Sequence, residues 1–441
     1  MKYSRRSVDA PAAGGQASGR ESTAATFQGM SMGVPRRTSR DIRSDSRLDV
    51  LHAVLSAGET TRNEIAQATG LSPATVVTIV GELLAGGIVE ETKSTPGRIG
   101  RPTATVSMST ERTRVVGIDV AETYIRAVLF DTALGQIASV EDARDEHDLD
   151  PDAVVEGIGR TIDRLLAENE VPREDVLGVG VALPGLIHGP TGVSIVVPHW
   201  TWHKVELDHL RERVGLPLVI ENPLKSIATA ELWLGRGRSC SSLVTVNLGT
   251  GVGAGIVLEG RILRGATNSA GEWGHSLLAL DGRACRCGRN GCVEAYVGAP
   301  GIQLTLREIA PGHALADLDA QSDFITALAA VANGPDPDPA VLETIDRTAY
   351  YLGSALADLV AVVNPELVLL TGWTTWALGD SLVAATRRHL VAQSPGGAIV
   401  GAELDVSTVR GNSVATGVAM IVLERFLADA GLVTTSIPVA L

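Results

Sequence analysis

Three of the chain's four cysteines, Cys285, Cys287 and Cys292, lie within eight residues, and His275 precedes the first of them by ten positions. The stretch that holds them, residues 271–294, reads GEWGHSLLALDGRACRCGRNGCVE. Three thiolates and one imidazole nitrogen are the four-ligand tetrahedral set that zinc takes in closed structural sites. Gly288 and Gly291 give a short loop the backbone freedom to wrap a single ion. The spacing therefore predicts a structural zinc on His275, Cys285, Cys287 and Cys292, with three reduced thiols in an ordinary loop as the alternative. A closed site leaves no open position for catalysis, so interest moves to its neighbours. Glu272, His275 and Glu294 offer acceptors and a second imidazole nitrogen that suit the hydroxyls of a sugar. Solvated surface carboxylates are the other reading.

The N-terminal part has a different character. Residues 1–44 are rich in Ser, Gly, Ala, Thr and Arg without apolar periodicity, and are expected to form a disordered basic tail. From Leu48 an amphipathic pattern begins, with Leu51, Val54 and Leu55 on the same face. Thr61 and Glu64 form a capping box, Gly70 and Leu71 a turn, and Ser72 with Pro73 opens a second helix whose apolar face is Val76, Ile79, Val80, Leu83 and Leu84. This pattern is a helix-turn-helix, and it places Ser72, Ala74, Thr75, Val77 and Thr78 on the face that would enter a DNA major groove, with Arg62 near the phosphates. No Arg, Asn or Gln on that face can read a base through two hydrogen bonds. The following stretch to Val106 reads as a β wing, whose turn carries Arg98 and Arg101 as candidates for a narrow minor groove. A helical dimerisation module is the competing reading. Charge is divided to match: residues 1–105 hold 13 Lys/Arg against 10 Asp/Glu, and the remainder 24 against 41.

Beyond Val115 the pattern becomes strand-like. Strands are expected at 115–120, 125–131 and 135–140, and again at 243–250, 253–259 and 261–263, so that two similar halves flank a cleft able to hold a ligand. Helices are expected over 152–168, 340–363 and 414–427. Trp200 and Trp202 could stack on a sugar face or fill a core. No apolar run is long enough to span a membrane and no signal-peptide pattern opens the chain, so a cytoplasmic protein is expected.

GEWGH with CRCGRNGC, NLGTGVGAGIV, ALPG and NPELVLLTG together resemble the ROK family of repressors, open reading frames and sugar kinases, over residues 48–430. The resemblance implies an α/β chain: an N-terminal winged helix-turn-helix followed by a two-lobed, actin-like, sugar kinase-like body. The expected boundaries are 45–106 for the DNA-binding domain, 107–222 and 223–411 for the two lobes, and 412–441 for a C-terminal helix returning to the first lobe. By position it implies sugar contacts at Asn222, Glu272, His275 and Glu294, and places zinc on the four residues named above. Three departures stand out. Pro223 occupies the position of the kinases' aspartate base, Glu122 replaces a glycine in the first phosphate turn, and Trp373 replaces a glycine near the adenosine site. A proline cannot take a proton, and phosphoryl transfer needs base and phosphate contacts together. No catalytic residue is therefore expected.

The resulting expectation is a sugar-responsive, DNA-binding transcriptional repressor. Its partners would be a palindromic operator and a carbohydrate effector, and it would act as a homodimer or dimer of dimers away from membranes. An active sugar kinase with a regulatory DNA-binding domain and a sugar-blind regulator controlled by a protein partner are the alternatives.

Overall fold

The computed structural model describes residues 39–93, 104–109, 114–145, 150–188, 194–197, 202–206, 208–396, 399, 401–409 and 411–429. Arg98, Arg101 and Trp200 lie outside the described residues, as does the tail before residue 39.

The first module comprises α1 (Ser39–Ala57), β1 (Glu59–Thr61), α2 (Arg62–Thr69), α3 (Pro73–Ala85), β2 (Val89–Lys93) and β3 (Ala104–Met108). Helix α1 begins at Ser39, inside the stretch expected to be structureless and well ahead of Leu48. Once a packed turn exists, adding a residue to a helix costs far less than starting one, and periodicity does not register such a polar extension. The capping box at α2 is complete: Thr61 N–H donates to Glu64 Oε2 at 2.8 Å, and Glu64 N–H donates to Thr61 Oγ1 at 3.3 Å. Gly70 closes the helix with φ +68°, a left-handed conformation that favours glycine. Helices α2 and α3 are bent by 116° to each other, as in a helix-turn-helix. The strands pair antiparallel in the order β1-β3-β2, forming the wing.

The first lobe follows with β4 (Arg114–Val120), β5 (Tyr124–Asp131), β6 (Gln136–Ala143), α4 (Pro151–Glu168) and β7 (Val176–Ala182). A small sheet, β8 (Leu186–His188), β9 (Ser194–Val197) and β10 (Trp202–Glu206), precedes α5 (Asp208–Val214) and β11 (Leu218–Glu221). Its main sheet runs β11-β7-β4-β5-β6. Trp202 is 3% exposed within this lobe's apolar core, so it fills space and does not face a ligand. Helix α6 (Pro223–Leu234) leads to the second lobe.

The second lobe contains β12 (Leu243–Leu248), β13 (Val252–Leu258), β14 (Arg261–Ile262), α7 (Glu294–Val297), α8 (Ala299–Ile309), α9 (Gln321–Ala332), α10 (Pro339–Val363), β15 (Leu367–Thr371), α11 (Trp373–Gln393) and β16 (Glu403–Val406). Its sheet order is β14-β13-β12-β15-β16. The last helix, α12 (Ser413–Asp429), returns to the first lobe. It lies so close to β4 and β7 that a side chain at Gly117 or Gly180 would strike the backbone of Ala415 or Val418. Glycine in mid-strand is here a requirement of close helix packing.

One apolar core spans two of these units. Val50, Leu51, Val54, Ile65, Val76, Ile79 and Val80 of the N-terminal module are continuous with Val115, Phe130, Trp233, Met420 and Leu423 of the body.

Candidate functional site

The cysteine loop is built from tight turns. Gly288 and Gly291 adopt φ of +84° and +78°, as a loop folding back on itself requires. Backbone bonds from Cys285 N–H to Arg289 O and from Gly291 N–H to Arg283 O, both 2.8 Å, hold its two arms. Tyr296 anchors the loop from below: its hydroxyl accepts from Arg283 N–H at 3.0 Å, and the Arg283 guanidinium lies 4.7 Å from its ring centre. The donor atoms of His275, Cys285, Cys287 and Cys292 converge to within 4.8 Å of one another. His275 Nδ1 stands 3.7 Å from Cys285 Sγ, and the Cys287 and Cys292 sulfurs are also 3.7 Å apart. A tetrahedral ion with metal–sulfur bonds of about 2.3 Å puts its sulfurs about 3.8 Å apart, so donor set and spacing both fit zinc. Burial pushes the Cys285 thiol up to about 12, so the thiol stays protonated unless a cation is present.

Glu272 and His275 sit on one short turn, introduced by Gly271 at φ +101° and pinned by the buried Trp273 beneath it. Burial holds the Glu272 carboxyl above its usual range, against the pull of His275 and Lys225 and with a push from nearby Glu294. Three of the four sugar candidates are thus neighbours. Glu294 Oε2 accepts from Val252 N–H at 3.0 Å, and its Oε1 lies 3.6 Å from Cys285 Sγ and 3.8 Å from Arg286 Nε. Asn222 caps α6: its Oδ1 accepts from Leu224 N–H at 2.8 Å, while its Nδ2 donates to Gly185 O at 2.9 Å. Pro223 is the first residue of that helix, where a missing N–H costs nothing.

The sequence alone did not mark Lys225, Arg264 or Arg286, yet all three belong here. Lys225 is 3% exposed and donates to Asn268 O at 2.9 Å; burial lowers its pKa. Arg286 spans the cleft to Glu122 of the first lobe at 3.1 Å. Glu122 therefore ties the cysteine loop to the first lobe. The sequence signal was the lone arginine between two zinc-type cysteines, which has meaning only once the opposite lobe is placed.

Around the turn at residues 249–253, none of the glycines has a positive φ. Packing rather than backbone conformation constrains Gly249 and Gly253. A side chain at Gly249 would press on the Trp373 indole and one at Gly253 would strike Leu224, whereas one at Gly251 would make only an ordinary contact with Glu294. The indole of Trp373 thus packs directly against the glycine turn. In the first turn, the Asp119 carboxylate accepts from Tyr124 Oη at 3.0 Å and Asn412 Nδ2 at 2.9 Å; burial raises its pKa.

On the N-terminal module, Ser72 caps α3 and shares a 2.8 Å hydrogen bond with Thr75 Oγ1. Ser72, Ala74, Val77 and Thr78 are exposed and Thr75 is half-buried, so the five form one open surface at the start of α3. Val77 is 55% exposed. Arg62 is differently disposed: its guanidinium forms a two-pronged pair with Glu91 of the wing, which ties α2 to β2. Among the described residues no single helix is long and apolar enough to cross a membrane.

A model of the ROK family matches residues 115–425, well over half of the chain, and a model of the MarR family matches residues 44–98. A glucokinase of Halalkalibacterium halodurans is 30% identical over 315 residues, which cover 70% of this chain and 95% of the relative. A xylose repressor of Caldicellulosiruptor bescii is 24% identical over 389 residues, covering 88% and 97%. Among solved structures, a ROK family transcriptional regulator, described as a homolog of the Escherichia coli MLC protein, has a TM-score of 0.70 at 23% identity, covering 89% of this chain and 98% of that one. The fold is therefore a winged helix-turn-helix followed by an actin-like, two-lobed body.

Proposed function

The chain belongs to the ROK family, and from that premise we propose that it is a sugar-responsive, DNA-binding transcriptional repressor of the cytoplasm whose kinase-like body senses its effector without turning over ATP. The observation that carries this reading is the packing of the Trp373 indole on Gly249, in a body that shares a core with a winged helix. The indole takes up the space beside the glycine turn at residues 249–253, the position of a phosphate turn in the sugar kinases that this chain resembles. Pro223, at the position of the kinases' base, has no proton acceptor to offer. Regulator relatives also match more of the chain than the glucokinase does, 88% against 70%.

In this reading Glu272, His275, Glu294 and Asn222 receive the sugar hydroxyls. A structural zinc on His275, Cys285, Cys287 and Cys292 holds the loop that presents three of them. Ser72, Ala74, Thr75, Val77 and Thr78 face the major groove, and Arg98 and Arg101 of the wing reach the adjacent minor groove. Arg62 orients the wing through Glu91. A homodimer or dimer of dimers reads a palindromic operator, and a change in lobe angle on sugar binding alters the spacing of its two reading heads.

A gel shift on the DNA upstream of the coding sequence, run with D-xylose, D-glucose and N-acetylglucosamine, tests the proposal. A shifted band released by one of the three is expected. A band indifferent to every sugar removes the sensor half and favours control by a protein partner. ATP turnover with any of the three, well above that of a Glu294→Ala control, overturns the non-enzymatic half.

A further inference from the structure

The body and the DNA-reading module meet at an unusual pair of rings. Trp233, near the end of α6, is 4% exposed, and its ring centre lies 4.6 Å from that of His52 on α1. On its other side, Trp233 Nε1 donates to Glu424 Oε1 of α12 at 2.7 Å. An apolar core needs only volume at this point, and Phe or Leu would supply it. An indole N–H bonded to a shielded carboxylate costs desolvation of both groups, which their hydrogen bond only partly offsets. Such a pair fixes position more than it adds stability.

Beyond Glu424 the polar groups continue across a shared cavity, not through a direct bond. Glu424 shares a small cavity of about 40 Å³ with Thr229, Arg261 and Arg264. That is room for one water, with polar partners on several sides. Arg264 in turn pairs with Glu221, which is 2% exposed, and donates to Asn268 Oδ1 at 3.2 Å. Glu221 Oε1 accepts the backbone N–H of Asn222 at 2.8 Å. Asn268 also receives Lys225 and reaches across to Ile187 O of the first lobe at 3.1 Å. A chain of polar groups thus runs beside α6, from the residue that caps its start to the residue that holds α1 at its end. The helix itself, 12 residues, is a rod of about 18 Å.

We propose that Trp233 is the positioning residue that carries the state of the sugar cleft to the DNA-reading module, at the end of a relay formed by Asn222, Glu221, Arg264, Glu424 and Trp233 and delivered to His52. The inference rests on the reading of Asn222 and Glu272 as sugar contacts. A sugar that recruits the Asn222 amide or draws on Glu272 and Lys225 disturbs the cap of α6 and the Asn268 junction together. The displacement then reaches α1 through a ring pair whose indole is held at its edge by Glu424.

The test uses the full-length, zinc-loaded chain. Amide hydrogen exchange is followed in peptides from α1 and from the start of α6, without sugar or DNA. Asn222→Ala, which removes the cap, is expected to speed α1 exchange at least threefold, while Asn222→Asp, which keeps a capping oxygen, leaves it within a factor of 1.5. In a Trp233→Phe background the effect of Asn222→Ala on α1 should fall below 1.5-fold, although the start of α6 still exchanges faster. If Trp233→Phe does not fold, Glu424→Leu removes the same hydrogen bond from the other side, and Glu424→Gln, which keeps an acceptor, should restore the coupling. The relay is overturned if α1 is indifferent to Asn222→Ala, or if that response survives loss of the Trp233 hydrogen bond. In a parallel gel shift, Trp233→Phe should bind DNA within twofold of wild type but need at least tenfold more of the releasing sugar. A wild-type band that no sugar releases counts against the sensor reading, and the exchange data then judge the relay on their own.

Discussion

Trp373 carries two predictions at the scale of single residues. Its indole lies against Gly249 at the start of the glycine turn, and it is half-buried. Replacing it with glycine should cost about 2 kcal/mol, below the range for a fully buried aromatic side chain, and should free the space beside the turn. A fluorescent ATP analogue should then bind to Trp373→Gly in an equilibrium titration and not to the wild type. Turnover should remain absent in both, because Pro223 still supplies no base. Equal binding of the analogue by the wild type would show that the indole excludes nothing. Glu122 is a quieter case. Its pair with Arg286 has both side chains about one third exposed, so Glu122→Gln should change stability by less than about 1 kcal/mol. Arg286 and Glu122 are also residues whose meaning no sequence pattern could supply, since their partnership exists only across the cleft. The cysteines were legible for the opposite reason: all four ligands lie within one short stretch, and coordination chemistry limits what such a stretch can do.

Elements respond as units, and the cysteine loop should do so most sharply if it holds the proposed zinc. Structural zinc contributes about 10–16 kcal/mol in small peptides. Even 3 kcal/mol of that would lower the melting temperature of the body by about 6–12 °C. Cys287→Ser, or exhaustive chelation, should therefore shift the melt by at least this range, and a melt unchanged by chelation would argue for a metal-free loop. The joint between α1, α6 and α12 titrates with two opposite signs. Burial holds the His52 pKa below its ordinary 6.5, with a hydrogen bond to Leu232 opposing and Arg238 reinforcing the shift. That group contributes stability above pH 6.5 and loses it as pH falls. Burial lifts Glu424 from 4.5 to about 7, against the hydrogen bond from Trp233 and the charge of Arg264, with Arg261 lining the same cavity. Its contribution is complete below pH 4.5 and is lost as pH rises through 7. Thermal melts should accordingly show Glu424→Gln falling behind wild type toward acid and His52→Gln falling behind it toward neutral pH; differences from wild type with slopes of the same sign would dissociate the joint from these groups. Periodicity placed α12 within a few residues but did not mark α6 as a helix. It missed the start of α1, where a polar turn grows from a packed one, and it missed the joint, because His52 and Trp233 each read as an ordinary core or surface position until their elements meet.

The shared core sets how the whole molecule behaves. The charge division and the change from helical to strand-like patterning describe two units in sequence, and a basic module on an acidic body invites the picture of a head on a flexible stalk. Packing shows otherwise: Val50, Leu51 and Val54 of the head and Trp233, Met420, Leu423 and Leu427 of the body lie in one apolar cluster. Units joined through a common core unfold together, because opening the joint exposes apolar surface on both sides at about 25 cal/mol per Å². Calorimetry should therefore show the head and the first lobe melting in one transition, with a ratio of calorimetric to van't Hoff enthalpy near one for that peak. A body lacking residues 1–109 should melt lower than the intact chain and aggregate, since Trp233 and the apolar side of α12 would then face water. Two independent transitions, with the truncated body as stable as the whole, would mean that the head hangs freely. The consequence for regulation is direct: a head that moved freely could bind either half-site spacing, and no movement of the lobes could dislodge it. A head seated on α6 and α12 must follow them, so an effector that shifts α6 relative to the second lobe would also change where the reading helix α3 points.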